Sequence, residues 1–246
     1  GKVNSSNVGF SNIHEMMVFD QGSARYLLEN SNSTGTTAMR IIDVTNPAAP
    51  VLKWTFSARN NGWVHAMHIR GTRLYLSAFS GNPRVEIFDI GTLATQAPAW
   101  IGDVNVGLSA NHSTWTSEDG RYLYSAREIG NSAATNPGDI RVYDVSNPAS
   151  PLLVRRISMA DLGLNAVTPH NPVVMGDKLY VSWYQAGTQL FDISSPSDPK
   201  RIGQYDTWGN AFTEEQAAEL AKYDPNDMVC GLNRSLNTAI SGYDGN

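Results

Sequence analysis

A single cysteine, Cys230, stands in the 246 residues, so no disulfide can form within the chain and the redox compartment is left open. Charge is sparse as well. Lys and Arg number 18 against 23 Asp and Glu, a formal net charge of −5, and no segment gathers the cations that a nucleic-acid face requires. Nucleic acid is therefore not an expected partner. No apolar run reaches the roughly 18 residues that cross a bilayer, and Gly1 to Phe10 lack the charged and apolar regions of a signal peptide. No transmembrane segment is expected, and any targeting segment is expected to have been removed or never to have been present. A Walker loop, a dinucleotide fingerprint, an EF-hand loop and a Gly-x-Ser-x-Gly elbow are all missing. What remains is rich in Asn, Ser, Thr and Gly, which suits short strands and polar turns better than long helices. Scarce Lys and abundant Asn fit an exported protein, outside the cell, on its surface or in a periplasm.

Within that composition one phrase recurs. It reads Ile41-Ile42-Asp43-Val44-Thr45-Asn46-Pro47-Ala48-Ala49-Pro50, then Val142-Tyr143-Asp144-Val145-Ser146-Asn147-Pro148-Ala149-Ser150-Pro151, then Leu190-Phe191-Asp192-Ile193-Ser194-Ser195-Pro196-Ser197-Asp198-Pro199. A degenerate copy runs from Ile87-Phe88-Asp89-Ile90 to Pro98. Each is an apolar strand, a polar turn whose prolines remove ladder donors, and a second strand. Upstream of the later copies lie hairpins in 64–79, 112–127 and 169–184, turning at Gly71-Thr72, Glu118-Asp119-Gly120 and Gly176-Asp177. Four strands repeated about every 50 residues predict an all-β protein of β-propeller blades. The expected blades cover approximately 10–57, 63–106, 110–158 and 168–206 of a single domain. A short helical insertion is expected at 207–230, with Thr213 as its N-cap, and the start of a further blade at 231–246. Four blades would leave a sheet edge open, so a longer chain or a partner is expected to complete the propeller.

The Asp-Val-Ser-Asn-Pro-x-x-Pro phrase after an apolar pair resembles the LVIVD repeat of secreted and cell-surface proteins. The resemblance implies a propeller scaffold that presents loops to a protein, glycan or surface partner. It does not imply one reaction.

Four of the five histidines share one repeat position. His14, His65, His112 and His170 each open the first strand of a blade, six residues before the expected turns at Asp20, Gly71, Glu118 and Gly176. Equal offsets place them on one face, so they are expected to ring one mouth of the channel, with His68 facing the other way. Such a ring suits a transition metal ion: zinc, copper, iron or nickel. The competing reading gives these residues a structural role, fixing the turns between blades by hydrogen bonds. Loops between second and third strands should bring Glu29, Arg127, Glu128, Tyr184 and Gln185 to the same mouth as binding residues. No catalytic residue is assigned. One alternative is a metal-dependent oxidoreductase similar in outline to the selenium-binding, methanethiol-oxidase type of propeller, although Cys230 lies outside the repeats. The other is a purely structural module of a larger surface protein.

Overall fold

A computed structural model of the protein describes residues 12–31, 38–59, 62–80, 82–107, 111–128, 138–163 and 168–205. Among the described residues the chain is all-β, with four antiparallel sheets each built from four consecutive strands. The first holds β1 (Ile13–Gln21), β2 (Ala24–Ser31), β3 (Ala38–Asp43) and β4 (Val51–Ser57); the second holds β5 (Val64–Arg70), β6 (Arg73–Ala78), β7 (Arg84–Asp89) and β8 (Ala99–Asn105). The third holds β9 (Ser113–Thr116), β10 (Tyr122–Ala126), β11 (Asp139–Asp144) and β12 (Leu152–Ser158); the fourth holds β13 (Pro172–Met175), β14 (Lys178–Ser182), β15 (Thr188–Asp192) and β16 (Lys200–Tyr205). These are propeller blades. A four-residue helix, α1 (Met159–Leu162), follows β12, and a 3₁₀ turn spans Tyr184–Ala186. Neither helical turn was expected from the sequence. The expected insertion at 207–230 and the start of a blade at 231–246 lie outside the described residues.

The recurring Asp has a local task. Its Oδ1 accepts the backbone N–H two residues on: Asp43 from Thr45 at 2.9 Å, Asp89 from Gly91 at 2.7 Å, Asp144 from Ser146 at 3.0 Å and Asp192 from Ser194 at 2.9 Å. This bond folds the chain back after the third strand without help from elsewhere. Just before it the ladder to the fourth strand slips by one residue in every blade, between Ile41 and Ile42, Ile87 and Phe88, Val142 and Tyr143, and Leu190 and Phe191. Such a bulge sharpens the strand twist that a blade needs.

Blades are joined by apolar layers. Leu28, Met39 and Ile41 of the first meet Met67, Leu74 and Phe88 of the second. Tyr75, Ile87 and Val104 meet Leu123 and Tyr143, and Tyr124, Ile140 and Val142 meet Leu179, Trp183 and Phe191. Inner strands β1, β5, β9 and β13 stand side by side in that order, and among the described residues no comparable packing joins β13 to β1. The four blades therefore form an open arc.

One hairpin departs from the sequence reading. The first blade turns at Gly22-Ser23 and not at Asp20, which stays in β1 opposite Arg25 and forms a 2.7 Å ion pair with it. The left-handed position falls on Gly22 at φ +59°, as it does on Gly71 at +58° and Gly176 at +61°. Only glycine reaches that region without steric cost. His14 is thus eight residues from its turn, and the extra pair of residues preserves strand facing.

Candidate functional site

The repeat position that carries histidine lies at the start of each inner strand, beside the next blade. His14 and His65 are second residues of β1 and β5, and the β1–β2 and β5–β6 ladders are bulged there. The backbone N–H of His112 donates to Ala126 at 2.9 Å and that of His170 to Ser182 at 2.8 Å. Polar side chains from the adjoining blade pin two of these segments. Asn30 donates to the carbonyls of Val64 at 2.8 Å and His65 at 3.0 Å, and Ser113 donates to the His170 carbonyl at 2.6 Å.

The four imidazoles come together as a row. Ring centroids are 4.2 Å apart for His14 and His65, 3.9 Å for His65 and His112, and 3.8 Å for His112 and His170. Trp63 lies edge-on to the first two at 4.8 and 4.9 Å, and Tyr184 lies 6.0 Å from His170 at the other end. His68 faces away from the row, its Nε2 2.9 Å from Thr116 Oγ1 and its ring against Trp115. Burial pushes His65 and His68 down to about 3 and His170 down to about 4. His112 is held well below the usual range by burial first and by its histidine neighbours second. A buried ring resists the charged form, so these residues are neutral near pH 7 and keep a lone pair for bonding.

Two pairings divide the row. Nε2 of His14 and Nε2 of His65 lie 3.0 Å apart, a distance at which one ring donates and the other accepts. At the other end the ligand atoms of His112, His170 and Glu128 all lie within 4.8 Å of one another. Glu128 carboxylate oxygens are 3.5 Å from His112 Nε2 and 4.0 Å from His170 Nε2. Two ligands bound to a tetrahedral ion at about 2.0–2.1 Å lie about 3.3–3.4 Å apart, so the His112–Glu128 separation is close to that spacing and the His170–Glu128 separation is wider. Among the described residues this is the group of three that converges. It contains two of the four row histidines, His112 and His170, together with a carboxylate.

Glu128 is anchored from behind by the Tyr184 hydroxyl, which donates to it, and burial raises its pKa. Two of the loop residues expected at the mouth are thus in the cluster, and Gln185 lies beside Tyr184 in the 3₁₀ turn. The other two are not in it. Arg127 is buried against Asp139 at 3.0 Å, and Glu29 is fully buried within β2. Both side chains are taken up in the interior of their blades.

One residue escaped the sequence reading. Glu15 follows His14, accepts the Met67 backbone N–H at 3.0 Å, and is pushed up to about 7 by burial. With His14, His65, His112 and Trp115 it borders a cavity of about 220 Å³. The signal lay in the repeat itself, since the residues after the other three histidines are Ala66, Ser113 and Asn171.

Acid should loosen this region. The unfolded chain binds protons at its histidines below about pH 6.5, whereas the folded chain resists them down to about 4 at His170 and about 3 at His65 and His68. Their contribution to stability is complete above pH 6.5 and is lost as pH falls toward those values. Glu15 acts in the opposite sense: its contribution is complete below 4.5 and is lost as pH rises through about 7. Between 4.5 and 6.5 the two partly offset. Four depressed histidines outweigh one raised carboxylate, so the urea midpoint is expected to fall as pH drops below about 6.5 and more steeply below about 4.5, where Glu15 no longer offsets them. Equal midpoints at pH 3.5 and 7 would contradict buried neutral histidines.

Repeated four-stranded blades in an arc, each joined to the next through its inner strand and its turn, define a β-propeller. The LVIVD repeat model matches residues 36–57, 134–158 and 171–207, so the chain carries LVIVD repeats on a propeller fold. No curated protein matches the sequence significantly. Among solved structures, a putative 6-phosphogluconolactonase from Bacteroides fragilis aligns at a TM-score of 0.59 with 18% identity, over 79% of this chain and 55% of that one. The periplasmic gluconolactonase PpgL of Pseudomonas aeruginosa aligns at 0.57 with 13% identity, over 78% and 58%. A chain of the mitotic checkpoint complex aligns at 0.54 with 13% identity, over 85% and 54%. At such identities the likeness is one of fold. The chain spans about half the length of these three structures. Among the described residues no helix is long and apolar enough to cross a membrane.

Proposed function

We propose that this protein is an exported binding propeller that holds a transition metal ion on His112, His170 and Glu128 at the inner mouth, close to the loops that would meet a protein, glycan or surface partner. The observation that carries the reading is the convergence of three ligand atoms within 4.8 Å, two of them on buried neutral imidazoles. Two nitrogens and one carboxylate oxygen suit zinc, iron, nickel or copper, with a coordination position left for water or for a group of the partner. Tyr184 would keep the Glu128 carboxylate oriented, as partners behind a ligand do in metal sites. Export is supported by the LVIVD repeats and by the low Lys content.

Elemental analysis of the purified protein tests this. About one equivalent of metal is expected, taken up from zinc, copper, iron or nickel if the protein is isolated without it. The double variant His112→Ala, His170→Ala is expected to lose it, and His14→Ala to keep it. Failure of wild-type protein to bind any of the four ions would assign the histidine row to blade packing alone.

A further inference from the structure

Blade 3 carries a second cluster with an unusual balance of charge. Asp139, fully buried at the start of β11, receives three guanidinium groups. Arg127 reaches it at 3.0 Å, Arg141 at 3.3 Å, and Arg156 through its Nε. Arg141 and Arg156 stand directly opposite each other across β11 and β12, an arrangement that is unfavourable between like charges. A fourth cation, Arg155, is 3.8 Å from Asp161, which also accepts the N–H and the hydroxyl of Ser158. Four cations against two carboxylates leave an excess of two positive charges. The connecting stretches 106–112, 129–138 and 162–168 contain no Asp or Glu to reduce it.

The other blades do not repeat this at the same register. Blade 1 places Arg40 opposite Thr55. Blade 2 places Glu86 opposite Asp103, with Arg84 2.8 Å from Asp103 and the Arg59 backbone N–H on Glu86. Blade 4 places Gln189 opposite Gln204, with Arg201 3.3 Å from Gln189. A fold-wide requirement for three arginines is thereby excluded. Arg156 is 47% exposed, and among the described residues its two terminal nitrogens make no hydrogen bond, so one face of the guanidinium is open to a ligand.

We propose that Arg156 and Arg141, fixed by Asp139, bind the phosphate group of a small ligand at this end of blade 3. A phosphate monoester carries about −1.5 to −2 charges near neutral pH, which matches the excess of two; Arg156 offers both terminal nitrogens as a fork, and Arg141, whose Nη1 donates to the Val106 carbonyl at 2.7 Å, offers its other terminal nitrogen. The site uses none of the residues of the proposed metal cluster.

Calorimetric titration of chelator-treated wild-type protein with inorganic phosphate, at an ionic strength fixed with chloride, tests the assignment apart from the metal. Saturable binding is expected, at least tenfold weaker in Arg156→Gln. That variant retains Arg127 and Arg141 on Asp139 and should fold. Arg201→Gln, which removes a guanidinium from neutral surroundings in blade 4, should bind as wild type does. No saturable heat in wild type, or equal binding by Arg156→Gln, would overturn the proposal.

Discussion

Asp139→Ala is expected to lower folding stability by about 3–5 kcal/mol, the range seen when one partner of a buried ion pair is removed. Arg127 is 3% exposed, burial already disfavours its charged form, and Arg141 and Arg156 repel it. Without the carboxylate, three guanidinium groups would face one another, and Arg127 has no route to water. Asp139→Asn should lie between alanine and wild type, because its amide oxygen accepts one hydrogen bond but supplies no charge. Urea unfolding of the three proteins checks this. A loss below about 1 kcal/mol for the alanine variant would show that solvent reaches the cluster and that the buried pair does not hold blade 3 together.

Gly102→Ala should be comparably damaging, by a steric route. A Cβ at Gly102 in β8 would lie 1.7 Å from the Pro148 carbonyl oxygen and 2.4 Å from its carbon. Both are backbone atoms of the next blade's recurring turn and cannot rotate away. Overfilling of packed sites costs about 1–3 kcal/mol and more where the backbone must move, so a loss of at least about 3 kcal/mol is expected. Gly203 occupies the same register in blade 4, where a Cβ would meet only the Leu190 side chain at 3.5 Å. Its alanine variant should lose less than about 1 kcal/mol. If the two variants unfold at the same urea concentration, the contact between blades is not what fixes Gly102. In blade 1 the equivalent outer-strand residue is Trp54, whose Nε1 donates to Leu93 in the turn of blade 2 at 2.8 Å. One interface is closed by a large side chain and the next by none.

These contrasts show what the sequence could disclose. The Asp that ends each third strand, the prolines that follow and the glycines at hairpin turns act within a few residues, so the repeat and its blades could be read directly. The common position of His14, His65, His112 and His170 could also be read, because alternation along a strand is a local rule. How closely the rings approach is set by the angle between blades and by Asn30 and Ser113 reaching across, which no spacing records. Glu128 came into view only as one of several residues near a mouth. Its selection over Glu29 as a companion of the histidines depends on the Tyr184 hydroxyl, 56 positions away in the chain. Asp20 misled because the polar run Asp20-Gln21-Gly22 offers more than one place to turn, and glycine decides among them.

Every sheet in the arc is a meander of neighbouring strands, and no blade borrows a strand from elsewhere among the described residues. The farthest residues a ladder must bring together are therefore separated by a few tens of positions, and blade 1 can complete its hydrogen bonding before blade 3 exists. Low contact order of this kind favours rapid formation of each unit, followed by propagation from one unit to the next in the manner of a one-dimensional repeat array. During synthesis the imidazole row would then assemble in chain order from His14 onward. The cluster of His112, Glu128 and His170 would be the last to form, when the fourth blade docks.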